Sequence, residues 1–211
     1  RDVLGSRGLG DVYKRQSFMN IRVAHEKKGC AEKILPFLKD GESIYNTLLV
    51  SKPGAGKTTC LRDCIRSLSN GKEGWEGMKI CVVDERSEIA ACHLGIPQND
   101  MGIRTDVLSG CGKSEGMMLM LRSMSPQIIA VDELGGKKDF QAVEQAACSG
   151  VRILGTVHAD TVEELWEKPY LKKWMKRGIF ERFILIRHNR SGERDFQVFN
   201  GKREQLLSLI H

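Results

Sequence analysis

The chain has 211 residues, 41% of them hydrophobic and 28% charged, which is enough length and apolar content to bury a core and excludes a mini-protein or whole-chain disorder. Its net charge of +6 is mild, so charge alone does not imply a nucleic-acid partner. No apolar run approaches the roughly 18 residues of a membrane span, no secretory leader pattern is present, and the seven cysteines are odd in number without a C-x-x-C pair; the expectation is a reduced, cytoplasmic protein without direct membrane insertion.

Residues 1–16 have no helical or strand periodicity, and their DVYKRQ text is similar to a translated sequencing-adapter end. They are expected to be a non-native scar, with the natural N-terminus lying upstream. Residues 17–45, with a β-like stretch at 18–23 and a helical pattern at 31–40, are expected to be a linker or the remnant of an N-terminal domain. Short apolar runs then alternate with helical stretches. Strands are expected at 46–50, 79–83, 127–131 and 151–157, and helices at 57–69, 116–124 and 140–148. Such alternation predicts βαβ units, hence an α/β fold with a mainly parallel sheet between helices. Residues 182–186 and 196–199 around a polar turn predict a C-terminal β-hairpin, closing a domain at 46–200 before a tail at 201–211.

Between the first strand and helix lies Ser51-Lys52-Pro53-Gly54-Ala55-Gly56-Lys57-Thr58, followed by Thr59. This is a P-loop with Ser in place of the usual first Gly. Small residues at Gly54, Ala55 and Gly56 let backbone N–H groups wrap a polyphosphate at the helix N-terminus. Lys57 is placed to reach the β- and γ-phosphates and Thr58 to hold Mg²⁺, so the cofactors expected are ATP and Mg²⁺. The third strand runs into Asp132 and Glu133, on the sheet edge where open α/β folds bind ligands. Asp132 is assigned to the metal shell and Glu133 to the attacking water. Glu85 and His158 end two further strands on the same edge, His158 where an imidazole can sense a γ-phosphate. Arg86, Arg104 and Arg122 are candidates for stabilising transition-state charge, one of them on a neighbouring subunit's nucleotide. Cys60 and Cys64 read as buried apolar residues, and the basic cluster around Trp174 as a solvated helix face.

Taken together, the P-loop, VVDERSEI, GIRTDVL, SMSPQIIAVDE and GTVHAD resemble the ATPase domain of the stage III sporulation protein AA family, over about residues 18–199. That family is related to the RecA/AAA-type ATPases of secretion systems and pili, whose acidic and histidine boxes resemble Asp84-Glu85 and the segment from Gly155 to Ala159. Asp132 departs from them, since Gly commonly precedes the catalytic Glu there. The resemblance implies ATP hydrolysis by a homo-oligomeric, hexameric ring in the mother cell. It further implies work on a trans-envelope channel during spore formation, with membrane-embedded channel proteins as partners and no nucleic acid. The alternatives are a nucleic-acid-dependent motor on the same core, disfavoured by the modest charge and the lack of an aromatic-basic groove, and a nucleotide-binding adaptor with little turnover.

Overall fold

The computed structural model describes residues 27–189 and 193–209. The expected scar and the β-like stretch at 18–23 lie outside the described residues. Largely apolar runs of four to seven residues form the centre of one sheet: β3 (Thr47–Ser51), β4 (Ile80–Asp84), β6 (Ile128–Val131) and β7 (Arg152–His158). Nearly every residue of these strands is buried, as parallel strands covered on both faces must be. A strand that the sequence did not reveal, β5 (Thr105–Ser109), lies at one edge, half-buried throughout. On the other side stand β8 (Arg182–His188), β9 (Arg194–Asn200) and β10 (Gln205–Leu209). The spatial order is β10-β9-β8-β3-β7-β6-β4-β5, parallel from β8 to β5 and antiparallel at β9 and β10. Residues 205–209, expected to be tail, therefore extend the sheet.

Side chains alternate between the two faces of the sheet. Leu48, Val50, Ile129, Val131, Ile153 and Val157 face a core closed by α3 (Lys113–Ser123), α4 (Lys137–Cys148) and α5 (Leu171–Arg177). Leu49, Ile128, Ala130 and Leu154 face the opposite core, closed by α2 (Lys57–Asn70). Cys60 and Cys64 are fully buried there, as apolar residues. The described part of residues 17–45 also packs into this second core. It forms a turn region, the four-residue α1 (Leu35–Leu38), and a two-stranded ribbon of β1 (Lys39–Asp40) and β2 (Ser43–Ile44), with Ala31, Ile34, Leu38 and Ile44 fully buried. The helix expected over 31–40 shrinks to one turn because Pro36 has no N–H to donate and disfavours helix before it, so it is tolerated only in a first turn. No helix among the described residues is long and apolar enough to cross a membrane.

On α5 the basic residues surround a wholly buried Trp174, stacked on Phe140 at 5.8 Å and edge-on to Phe180 at 5.3 Å. Its indole N–H has no partner among the described residues, so the contribution of Trp174 is packing alone. Trp174→Ala should destabilise the fold by ~3–5 kcal/mol through the lost ring and the cavity, whereas Trp174→Phe should cost much less. Chemical denaturation of the three proteins checks this; equal losses for Ala and Phe would contradict the packing assignment.

Candidate nucleotide site

The P-loop follows β3 and runs into α2, as the sequence indicates. Gly54 and Gly56 adopt φ of 79° and 86°, left-handed values open to glycine, and Gly56 caps α2. Lys57, the first helical residue, is 5% exposed. Its ammonium donates to the carbonyl oxygens of Ser51 at 3.4 Å and Lys52 at 3.3 Å and to His158 Nδ1 at 2.9 Å. Burial pushes Lys57 below its ordinary pKa, against the opposing attraction of Asp132 and Glu133.

His158 reaches Lys57 because β7 lies between the P-loop strand and the acidic strand, with Ser51 and His158 in register. An ammonium has no acceptor, so Nδ1 must supply the lone pair and the imidazole carries its proton on Nε2. That N–H faces Glu133 Oε1 at 3.0 Å, and Arg86 Nη1 meets Glu133 Oε2 at 2.8 Å. Lys57, His158, Glu133 and Arg86 thus form one continuous chain.

Asp132 stands level with Thr156 because β6 and β7 pair through Val131 and Gly155. One carboxylate oxygen accepts from the Thr58 hydroxyl at 2.7 Å, and the other from Thr156 Oγ1 and from the Glu133 N–H at 3.1 Å. Glu133 has φ of 54°, a left-handed conformation that is uncommon outside glycine. The two carboxylates are separated at this turn beyond the end of β6, which aims Asp132 at Thr58 and Glu133 at His158. Hydrogen bonding from His158, together with the charges of Arg86 and Lys113, holds Glu133 below its ordinary value in spite of partial burial.

Glu85 lines the same cleft as Asp132 and Glu133 but pairs with Lys113 at 3.3 Å rather than with His158. Its neighbour Asp84 is a structural residue, accepting the N–H groups of Glu88, Ile89 and Ala90 at 2.8–3.1 Å. Arg104 does not join the cluster. It precedes β5 at the amino edge of the sheet, about 15 Å along the strand from the carboxyl edge at ~3.3 Å per residue. Arg122, near the end of α3, borders a groove with Ser125 and Pro126 on that same edge. Sequence reasoning missed Thr156, Lys168, which donates to the His158 carbonyl, and Lys113, which donates to the Glu133 carbonyl at 2.8 Å. A signal for Lys113 was present: Gly112-Lys113-Ser114, just beyond a strand, repeats the Gly-Lys-hydroxyl pattern of Gly56-Lys57-Thr58.

Thr58 and Asp132 bring two hard oxygen donors together, the small protein share of a coordination shell that suits Mg²⁺ accompanying phosphates. The fold agrees with what is found among known proteins. The family model described as "Sporulation stage III, protein AA" matches residues 11–206. The chain belongs to that family. It is 43% identical over 180 residues to the stage III sporulation protein AA of Bacillus subtilis, covering 85% of this chain and 57% of that protein. Among solved structures it is similar to the ATPase DotB of Legionella pneumophila, with a TM-score of 0.61, 16% identity, and coverage of 83% of this chain and 51% of that one. It is also similar to the VirB11 ATPase of the Brucella suis type IV secretion system, with a TM-score of 0.56, 15% identity, and coverage of 96% and 68%. This sporulation protein AA homologue therefore has the α/β P-loop ATPase fold of secretion ATPases.

The depressed Glu133 pKa carries a pH signature. The stabilising contacts of its carboxylate are fully present above the unfolded glutamate value of ~4.3 and are lost as pH falls through the lower folded value. The stability difference between the wild type and Glu133→Gln should therefore hold steady from neutral pH to about pH 5 and shrink below it. Unfolding curves of both proteins across that range test this; a constant difference down to the lowest pH would contradict it.

Proposed function

We propose that this chain is an ATP-hydrolysing enzyme that binds Mg-ATP at its P-loop and splits it to ADP and phosphate. The observation that carries this reading is the chain from Lys57 through His158 to Glu133, which joins the P-loop lysine to an oriented carboxylate on the same sheet edge. Backbone N–H groups from residues 54–58 cradle the phosphates, and Lys57 exchanges His158 and the two carbonyls for phosphate oxygens. Thr58 and Asp132 would hold the Mg²⁺ that comes with the nucleotide, and that ion would supply charge neutralisation at the phosphates. Thr156 and the Glu133 N–H fix the Asp132 carboxylate for that task.

Release of His158 Nδ1 from the ammonium leaves its Nε2–H on Glu133, so the imidazole reports the phosphate to the carboxylate. A carboxylate held ionised and oriented both positions the attacking water and takes its proton. Within the chain only Arg86, of the three candidate arginines, contacts this site. Arg104 and Arg122 lie on the opposite edge, and in the proposed homo-oligomeric ring one of them would act on a neighbour's nucleotide. By analogy with the secretion ATPases the work done is on a membrane-embedded channel in spore formation. The chain spans 57% of its Bacillus subtilis relative, so channel, ring and partners belong to the proposal for the whole protein.

Two variants separate binding from chemistry. Lys57→Ala should abolish ATP binding, because it deletes the charge facing the β- and γ-phosphates in a buried cradle. Glu133→Gln should retain ATP and hydrolyse it ~10²–10⁴-fold more slowly. Equilibrium binding and phosphate release measured on both would decide it. Normal turnover by Glu133→Gln, with Glu85→Gln inactive, would move the catalytic carboxylate to β4.

A further inference from the structure

Arg194 belongs to none of the motifs and opens β9, where it pairs with His188 at the end of β8. β8 pairs with β3 only as far as Leu185 opposite Val50, so Ile186, Arg187 and His188 rise past the carboxyl edge beside the P-loop. Phe196 and Val198 enter the α2-side core, and alternation puts Arg194 on that same face. The guanidinium lies directly against the start of α2. A Cβ on Gly56 would fall 2.6 Å from Nη2, 2.9 Å from Nε and 3.0 Å from Cζ.

The electrostatics of this placement are unfavourable for the chain alone. Among the described residues the buried Nη1 has no hydrogen-bond partner and no carboxylate pairs with the guanidinium. An arginine cannot escape by losing its proton. It stands at the positive end of α2, one residue from the buried Lys57, where the helix dipole favours anions and opposes cations. An unpaired donor in that position calls for a negatively charged ligand beside the loop.

We propose that Arg194 is a nucleotide-binding residue that holds the phosphates common to ATP and ADP from the hairpin side of the P-loop. The inference rests on the P-loop reading above. Glu133 and His158, which mark the γ-phosphate end, come from β6 and β7 on one side of β3. Arg194 comes from β8–β9 on the other side, so it meets the part of the nucleotide that is not transferred. The contact also joins nucleotide occupancy to the hairpin, since Arg194 is its first residue after the turn.

The test uses the full chain with Arg194→Gln and Arg194→Lys, ADP and a non-hydrolysable ATP analogue as probes, and melting in the absence of nucleotide. Arg194→Gln should weaken ADP and the analogue by a similar factor, about ten- to a hundredfold for one charge-assisted contact. Its nucleotide-free melting temperature should stay level or rise, because a buried donor without a partner is removed. Arg194→Lys should recover part of the affinity, and if Arg194→Gln does not fold, a loss for both nucleotides in Arg194→Lys gives the same answer. Unchanged ADP affinity, or a loss confined to the ATP analogue, overturns the assignment. So does a fall in nucleotide-free melting temperature that accounts for the lost binding. A wild-type chain that binds neither nucleotide refutes the P-loop reading itself, a failure visible before any variant is made.

Discussion

One buried ammonium organises the ligand edge of this protein. Lys57 sits at the first position of α2 with three donors, and all three are taken: two by backbone carbonyls of the loop it closes and one by His158. A buried cation must be paired or hydrogen-bonded to persist. Those bonds hold the P-loop closed over its lysine, and they are the bonds that a polyphosphate would replace.

The reach from Lys57 to Glu133 depends on topology. If β3 and β6 were adjacent, the loop lysine and the carboxylate would face each other directly. The insertion of β7 between them places an imidazole in the gap, one strand spacing of about 4.8 Å from each neighbour, and its two nitrogens span from one group to the other. The register Ser51–His158 and Val131–Gly155 brings Thr156 to Asp132 and His158 to Lys57 at once. The turn at Glu133, in a conformation that a non-glycine residue adopts at some cost, completes the bridge. Strain at that one residue is what lets two neighbouring carboxylates serve different partners.

Much of this was legible in the sequence for a physical reason. Parallel strands buried on both faces leave continuous apolar runs, so NTLLV, IIAV and their partners stand out, and a glycine loop between strand and helix is hard to mistake. What escaped notice lacks that signal. β5 reads Thr-Asp-Val-Leu-Ser and is half-buried at an edge, and β10 lies at the other edge, where pairing rather than composition makes the strand. The roles of individual residues were partly hidden as well. Asp84 and Asp132 both end apolar strands, yet one ties down a turn and the other serves Thr58, a difference decided by which backbone N–H groups fall nearby. Arg86 and Arg104 are equally plausible on paper, and only the strand direction puts one at the site and the other on the far edge. Arg194 has no motif to announce it, because its environment is assembled from a hairpin some 140 residues beyond the P-loop.

The central claim is that nucleotide occupancy is relayed from Lys57 to Glu133 through His158. Side-chain ¹⁵N resonances of His158 report the two ends of that relay separately, because one ring nitrogen faces the ammonium and the other the carboxylate. Without nucleotide the account predicts an acceptor Nδ1 and a protonated Nε2. Saturation with a non-hydrolysable ATP analogue should shift Nδ1 as Lys57 turns to phosphate and leave the Nε2–H bonded to Glu133. A His158 spectrum that is the same with and without the bound analogue would contradict the relay.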